Sequence, residues 1–261
     1  MKKILMVVLI AGFLWTGALP AVASGGQPVM SADEALQKLQ AGNGRYVAGK
    51  PKHLNQDRKR RAETVAKGQH PFATVLACSD SREAVEILFD QGIGDIFVVR
   101  VAGNVADVDE IGSMEYGVDH LVTPLLVVLG HTHCGAVTAV AQGAQLHGNI
   151  PALVDNIIPA VKKAREANPG ISEKDLIYQA IKANVWQSIE DLLTKSQAAR
   201  ELVTKGNLKI IGAVYDLESG KIDWMGSHPA QAKLIAVSQS PAPPAAPEAK
   251  PEEKAPAAPG K

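Results

Sequence analysis

The sequence predicts an α/β fold: a mostly parallel β-sheet flanked by helices, with an N-terminal helical arm and a C-terminal antiparallel edge strand. Three observations carry this. Four apolar runs, residues 72–77, 96–101, 125–129 and 208–214, are continuous rather than alternating, as in strands buried on both faces. Helical patterns at 84–90, 107–121 and 135–142 fall between these runs, the alternation of a covered parallel sheet. Residues 214–225 then read as a closing hairpin, with Glu218-Ser219-Gly220-Lys221 at its turn.

In chain order, Ser31-Ala32-Asp33-Glu34 is a capping box that starts the first helix. Ser31 serves the orphan N–H groups and Glu34 reaches back to the cap. The spacing carries this helix to about Gln40, and the glycine-bearing stretch 42–49 is expected to end it. Residues 55–67 form a basic helix-like stretch with Arg58, Lys59, Arg60 and Arg61. No aromatic residues interleave there, so it reads as a solvated face rather than a nucleic-acid patch. After the third run, residues 156–167 and 173–195 read as amphipathic helices separated by Asn168-Pro169-Gly170.

The chain's two ends stand apart from this domain, which is assigned residues 24–238. Lys2-Lys3, an apolar stretch at 4–19 and Ala21-Val22-Ala23 make a secretory signal peptide of residues 1–23. The rival, an uncleaved anchor, is disfavoured by the short apolar run and by Pro20. No cysteine follows the run, so a lipoprotein anchor is not expected. The chain is therefore read as exported, periplasmic in a bacterium with an outer membrane, and free of the membrane after cleavage. Residues 239–261 are Pro, Ala, Glu and Lys in the main, a composition that cannot bury a core and reads as a disordered tail. Net formal charge is zero and aromatics are 4%. That argues against nucleic acid as a partner and against stacking platforms for bases or sugars.

Both cysteines of the chain sit at strand ends: Cys78 in Cys78-Ser79-Asp80-Ser81-Arg82, and Cys134 in His131-Thr132-His133-Cys134-Gly135. The carboxyl ends of strands are where open α/β sheets bind ligands. Two thiolates and one imidazole are a soft three-ligand set that suits zinc with one position open. His131 is three residues before Cys134, where a strand tip turns into a helix, and is the better third ligand. His133 is its competitor, with a structural histidine as the plainer reading. Asp80 has two readings. It completes a closed four-ligand site, or it pairs with the Arg82 guanidinium, which matches a carboxylate with two parallel bonds. Export favours a disulfide between two cysteines, but a disulfide explains neither His131 nor Asp80 and Arg82. Two buried small hydrophobes are the bland alternative.

The combination Cys78-x-Asp80-x-Arg82 with His131-x-x-Cys134 resembles the β-class carbonic anhydrases. The likeness is close over residues 69–136 and includes Gly94-Asp95-Ile96-Phe97-Val98-Val99-Arg100, Ala102-Gly103-Asn104 and Ser113-x-Glu115-Tyr116. It is looser toward the N-terminal helices and Gly212-Ala213-Val214-Tyr215-Asp216. It implies one Zn2+ per chain and reversible hydration of carbon dioxide to bicarbonate and a proton. It also implies Asp80 and Arg82 as the catalytic pair, and Cys78, His131 and Cys134 as ligands, with Asp80 on the metal only in a closed state. The substrate pocket would be Gln69, Phe97, Ala102, Tyr116 and the Gly135 backbone, with Gln69 and Tyr116 facing it from opposite subunits of a homodimer or larger homo-oligomer. His120 matches a proton-shuttle position, although a surface helix histidine is an almost equal reading. Some family members close the metal site through a bicarbonate pocket built of Trp, Arg and Tyr. Arg100 and Tyr215 match it and Val75 does not, so the open site is expected. Glu83-Ala84-Val85 departs from the Val-Pro-Pro type sequence that often follows the arginine, with an effect expected at the pocket's edge.

Two rivals remain. One is hydrolysis of carbonyl sulfide or carbon disulfide on the same fold. The other is a non-enzymatic exported binding module, disulfide-linked or stabilised by zinc. A serine hydrolase is poorly supported, because Ser79 and Ser81 lack a G-x-S-x-G elbow.

Overall fold

The computed structural model describes residues 28–237, so the signal segment and the tail lie outside the described residues. In chain order the elements are α1 (Ala32–Val47), α2 (Arg58–Lys67), β1 (Ala73–Cys78), α3 (Val85–Leu88), β2 (Ile96–Val101), α4 (Val108–Glu115) and β3 (Leu125–His131). They continue with α5 (Gly135–Ala141), α6 (Ile150–Val154), α7 (Ile158–Ala167), α8 (Glu173–Lys195), α9 (Gln197–Thr204), β4 (Lys209–Tyr215), β5 (Ile222–Gly226) and α10 (Gln231–Val237). The four apolar runs are β1 to β4, and the expected hairpin is β4 and β5.

The sheet has the order β2-β1-β3-β4-β5. All pairs are parallel except β4 with β5, which is antiparallel. This is the mostly parallel sheet with an antiparallel edge that the sequence predicts. β1 and β3 lie at its centre and are buried along their whole length. Successive side chains point to opposite faces. Leu76, Cys78, Leu126 and Val128 enter the core under α4, α5, α7 and α8. Ala73, Val75, Ala77, Leu125, Val127 and Leu129 enter the core under α1 and α3.

The sequence-based bounds need four corrections. α1 runs through Gly42 and Gly44 to Val47 instead of stopping near Gln40. Helical glycine costs about 1 kcal/mol. The turn is nonetheless docked: Gly42 and Asn43 are buried, and the Asn43 amide donates to the carbonyls of Leu88 (3.2 Å) and Gly220 (2.9 Å). The helix after β1 shrinks to α3, because the chain leaves it at Phe89 and Asp90, where Asp90 turns left-handed with φ of 46° and its carboxylate accepts the Lys52 and His53 N–H groups. The 107–121 helix changes character at Tyr116, where Tyr116–His120 forms a wider π-type turn closed by Leu121 N–H to Tyr116 O at 2.9 Å. Among the described residues α6, α9 and α10 are additions to the expected elements.

α8 is the long helix that covers β3 and β4. It lies very close to them, since a Cβ built on Gly130 or on Gly212 would meet Val185 at 2.8 Å. Only strands that present glycine there let the helix backbone approach this far. The expected solvated face at α2 has no buried residue. No described helix is long and apolar enough to cross a membrane.

Candidate metal centre

Cys78 is the last residue of β1, His131 the last of β3, and Cys134 the N-cap of α5. The two strands are parallel neighbours, so both chain ends arrive at the same edge of the sheet. The Sγ atoms of Cys78 and Cys134 and a ring nitrogen of His131 all lie within 4.8 Å of one another. The three residues are buried, at 4%, 1% and 0% exposure. Both cysteines are free thiols.

The donor set suits a soft divalent cation. His131 Nδ1 lies 2.8 Å from the Thr132 carbonyl oxygen, to which it donates. That bond fixes the tautomer and leaves the Nε2 lone pair free for a metal. Nε2 is buried and has no hydrogen-bond partner among the described residues, an arrangement that a metal bond would satisfy. The two thiols share their protons unequally. The bond from Cys134 comes first in holding the Cys78 thiol low, followed by His131 and the Gly103 N–H. The same bond, together with burial, pushes Cys134 up. One negative charge is thus favoured on the pair, and a bound dication draws both to thiolate.

Beside the cluster, Arg82 grips Asp80 with two parallel bonds, Nε to Oδ1 at 2.9 Å and Nη2 to Oδ2 at 2.7 Å. The Arg82 N–H adds a third bond to Oδ1 at 2.9 Å. These bonds hold the Asp80 carboxyl well below the usual carboxylate range. Its Oδ2 is 3.8 Å from His131 Nε2, so the carboxylate stands at the edge of the cluster in its arginine-paired arrangement. Arg100 fastens the same loop from the other side. Its Nε donates to Cys78 O at 3.0 Å and its Nη2 to Asp80 O at 2.7 Å. His133 turns away, as expected, with an exposed ring 3.5 Å from Glu218.

Glu83 and Gly103 are two site residues to which the sequence assigned no role at the metal centre. Glu83 is fully buried, and its Oε2 accepts the Cys78 N–H at 2.8 Å. Burial raises its pKa to about 8. The carboxyl group at this position therefore lies beneath Cys78. The Gly103 N–H donates to Cys78 Sγ at 3.2 Å. The Arg100 guanidinium is engaged with two carbonyls, and the Tyr215 hydroxyl lies 3.2 Å from that of Tyr46.

The remaining pocket residues divide into two groups. Gly135 is exposed at the start of α5 beside the cluster, and Ala102 follows β2 at the same end of the sheet. Phe97, Tyr116 and His120 form an aromatic stack elsewhere, with ring centroids at 5.8 Å and 4.6 Å. Phe97 pairs with Thr74, four positions before Cys78, which places it roughly 13 Å along the strand from the metal end. Tyr116 is 45% exposed, and Gln69 is exposed ahead of β1. One chain therefore does not gather Gln69, Phe97 and Tyr116 around Cys78. A cleft of about 780 Å³ beside His133 and Gly135, reaching Tyr178 on α8, is lined by none of the three ligand candidates.

Known proteins are similar to this chain. The family pattern described as carbonic anhydrase matches residues 73–222. Carbonic anhydrase 2 of Mycobacterium tuberculosis is 41% identical over 191 residues, 72% of this chain and 89% of its own length. The carbonic anhydrase of Mycolicibacterium smegmatis is 40% identical over 193 residues, 72% of this chain and 91% of its own. Among solved structures, a β-carbonic anhydrase of Aspergillus fumigatus superposes with a TM-score of 0.63 at 25% identity, covering 80% of this chain and 99% of that one. One of two tetrameric β-carbonic anhydrases of Sordaria macrospora gives 0.59 at 25% identity, covering 75% and 96%. The fold, the cysteine and histidine cluster and these likenesses agree: the chain belongs to the carbonic anhydrase family, in its β class.

Proposed function

We propose that this enzyme binds one Zn2+ through Cys78, His131 and Cys134 and interconverts carbon dioxide and water with bicarbonate and a proton. The observation that carries the reading is the convergence of three buried soft donors, with His131 Nε2 left without a hydrogen-bond partner among the described residues, next to a carboxylate that an arginine already holds. Zinc with three protein ligands and an open position supplies a Lewis acid that lowers the pKa of a water to about 7. Arg82 keeps Asp80 from serving as a fourth ligand. Asp80 in turn offers an oxygen that accepts a hydrogen bond and orients the attacking water. Arg100 holds the Cys78 and Asp80 carbonyls, and so the spacing between ligand and carboxylate.

The substrate pocket is read as Ala102 and the Gly135 backbone from one chain, joined by Gln69, Phe97 and Tyr116 across a contact between two copies. This agrees with the separation of those groups within one chain and with the tetrameric state named for the Sordaria macrospora relatives. The functional unit is then a homodimer or a larger homo-oligomer. His120, stacked on Tyr116, is the proton-shuttle candidate. Val75 stands where a bicarbonate pocket would need tryptophan, so the site is read as open. The leader is read as an export signal, with a periplasmic address in a bacterium with an outer membrane.

Zinc content and turnover of carbon dioxide and carbonyl sulfide by the purified chain test this reading. One zinc per chain with carbon dioxide as the faster substrate is expected. Preference for carbonyl sulfide would transfer the chain to the rival hydrolase. Metal-free chains joined by a Cys78–Cys134 disulfide would contradict the zinc reading.

A further inference from the structure

A buried polar group on α8 sits beneath the metal centre and takes no part in the chemistry above. Asn184 and Ser188 are each 1% exposed and lie one helical turn apart. Their neighbours on the buried side of the helix are Ile181, Val185, Ile189 and Leu192. The Asn184 amide donates to the Gly103 carbonyl at 2.7 Å. The Ser188 hydroxyl lies 2.8 Å from the Asn104 carbonyl oxygen and 3.0 Å from that of Asn184, one O–H before two acceptors.

These bonds fall on the short turn whose Gly103 N–H donates to Cys78 Sγ. Gly103 has φ of 76° and Asn104 has φ of 43°. The turn thus uses two consecutive left-handed residues, which free chain seldom adopts. Fixing the carbonyls of both residues fixes the peptide planes on either side of Asn104. The Gly103 N–H belongs to the preceding peptide and is coupled to these planes through the Gly103 torsions, which the left-handed turn sets. A hydrogen bond to a thiolate draws charge from the sulfur and sets the direction of its lone pairs.

We propose that Asn184 and Ser188 are positioning residues for the metal ligand Cys78, acting through the Gly103 and Asn104 backbone. The inference rests on the zinc reading of the same site. Packing alone does not explain the pair. Asn184 Oδ1 and Asn104 Nδ2 are buried without partners among the described residues, and a purely structural cluster is better served by apolar side chains. The glycines at 130 and 212 add to the case, since they bring α8 close enough to reach over β3.

The test measures zinc affinity by chelator competition, together with the thiolate-to-metal absorption of the cobalt-substituted protein. Asn184→Ala is expected to weaken zinc about 10- to 100-fold, the usual effect of removing support behind a ligand, and to move the cobalt band. Ser188→Ala should act in the same direction and less. Leu192→Ala, a core change on α8 one turn past Ser188 that removes no hydrogen bond to the turn, should lower thermal stability and leave zinc affinity and the cobalt band at parent values. If Asn184→Ala does not fold, Ser188→Ala decides alone. Parent-like affinity and spectra in the folded variants overturn the inference, as does an equal loss of zinc in Leu192→Ala. A parent chain that takes up no zinc defeats the zinc reading itself, and the inference with it.

Discussion

Removing the metal should unfold this protein at a lower temperature, by an amount the site's construction sets. The three ligands come from the end of β1, the end of β3 and the cap of α5. His131 lies 53 positions from Cys78 in the sequence. Only the folded chain brings them together, so zinc binds the native state and adds its binding free energy to stability. With free zinc at a thousand times Kd this is about 4 kcal/mol. For a domain of this size each kcal/mol moves Tm by roughly 2–4 °C, so the shift should be roughly 8–16 °C. The assay is thermal unfolding followed by circular dichroism, with and without a chelator, for the parent and for Cys134→Ala. The parent should lose that interval on chelation. Cys134→Ala, with two ligands left, should start lower and respond little. Equal Tm values for the parent with and without chelator would refute the reasoning. An undiminished chelator response in Cys134→Ala would show that Cys134 is not a ligand.

Four further outcomes are expected. Arg82→Ala should keep zinc and lose most activity, because Asp80 is then free to move onto the cation; a variant that hydrates carbon dioxide at the parent rate makes the pair merely structural. Asp80→Asn should keep zinc and turn over slowly, and the contrast between the two is read by stopped-flow assay and metal analysis. Glu83 has a raised pKa in the fold, about 8 against 4.5, so it binds its proton more tightly folded than unfolded. The stability it contributes is full below about pH 4.5 and is lost as pH rises through about 8. In metal-free protein, Glu83→Gln should flatten that decline in urea unfolding curves taken between pH 5 and roughly 9; parallel curves for variant and parent would contradict it. Mass spectrometry of the exported chain should find Ser24 at its N-terminus, and retention of residues 1–23 on a membrane-bound product would contradict the leader assignment.

The sheet was legible because β1, β3 and β4 are buried strands written as unbroken apolar runs, whereas β2, at the sheet edge, is only partly buried and carries the exposed Arg100. The cluster of candidate metal ligands was legible because Cys78 and His131 end two such runs and Cys134 follows at once. What escaped depends on distant contacts. The glycines at 42 and 44 look like a helix end, yet tertiary bonds from Asn43 to residues 88 and 220 carry α1 onward. α9 hides behind α8 because Ser196 interrupts a continuous helical composition. Its side chain takes the Ala199 N–H at 3.1 Å and starts a new helix. Glu83 reads as part of a departure at the pocket's edge, and only the folded chain shows its carboxyl accepting the Cys78 N–H. Asn184 and Ser188 did leave a signal, two polar residues four apart among Ile181, Val185, Ile189 and Leu192. Nothing local ties that pair to Gly103, some eighty positions earlier. Gln69, Phe97 and Tyr116 were placed in the pocket by resemblance, and one chain leaves them away from the metal end.

The most direct test of the central claim is a metal titration. Metal-free protein receives zinc in steps, and carbon dioxide hydration is followed at each step by stopped flow. Activity should rise in proportion to zinc and level off at one equivalent per chain, with Cys78→Ala, His131→Ala and Cys134→Ala inactive throughout. Hydration by the metal-free chain, or a rise that ignores the loss of any one of these three ligands, would contradict the account.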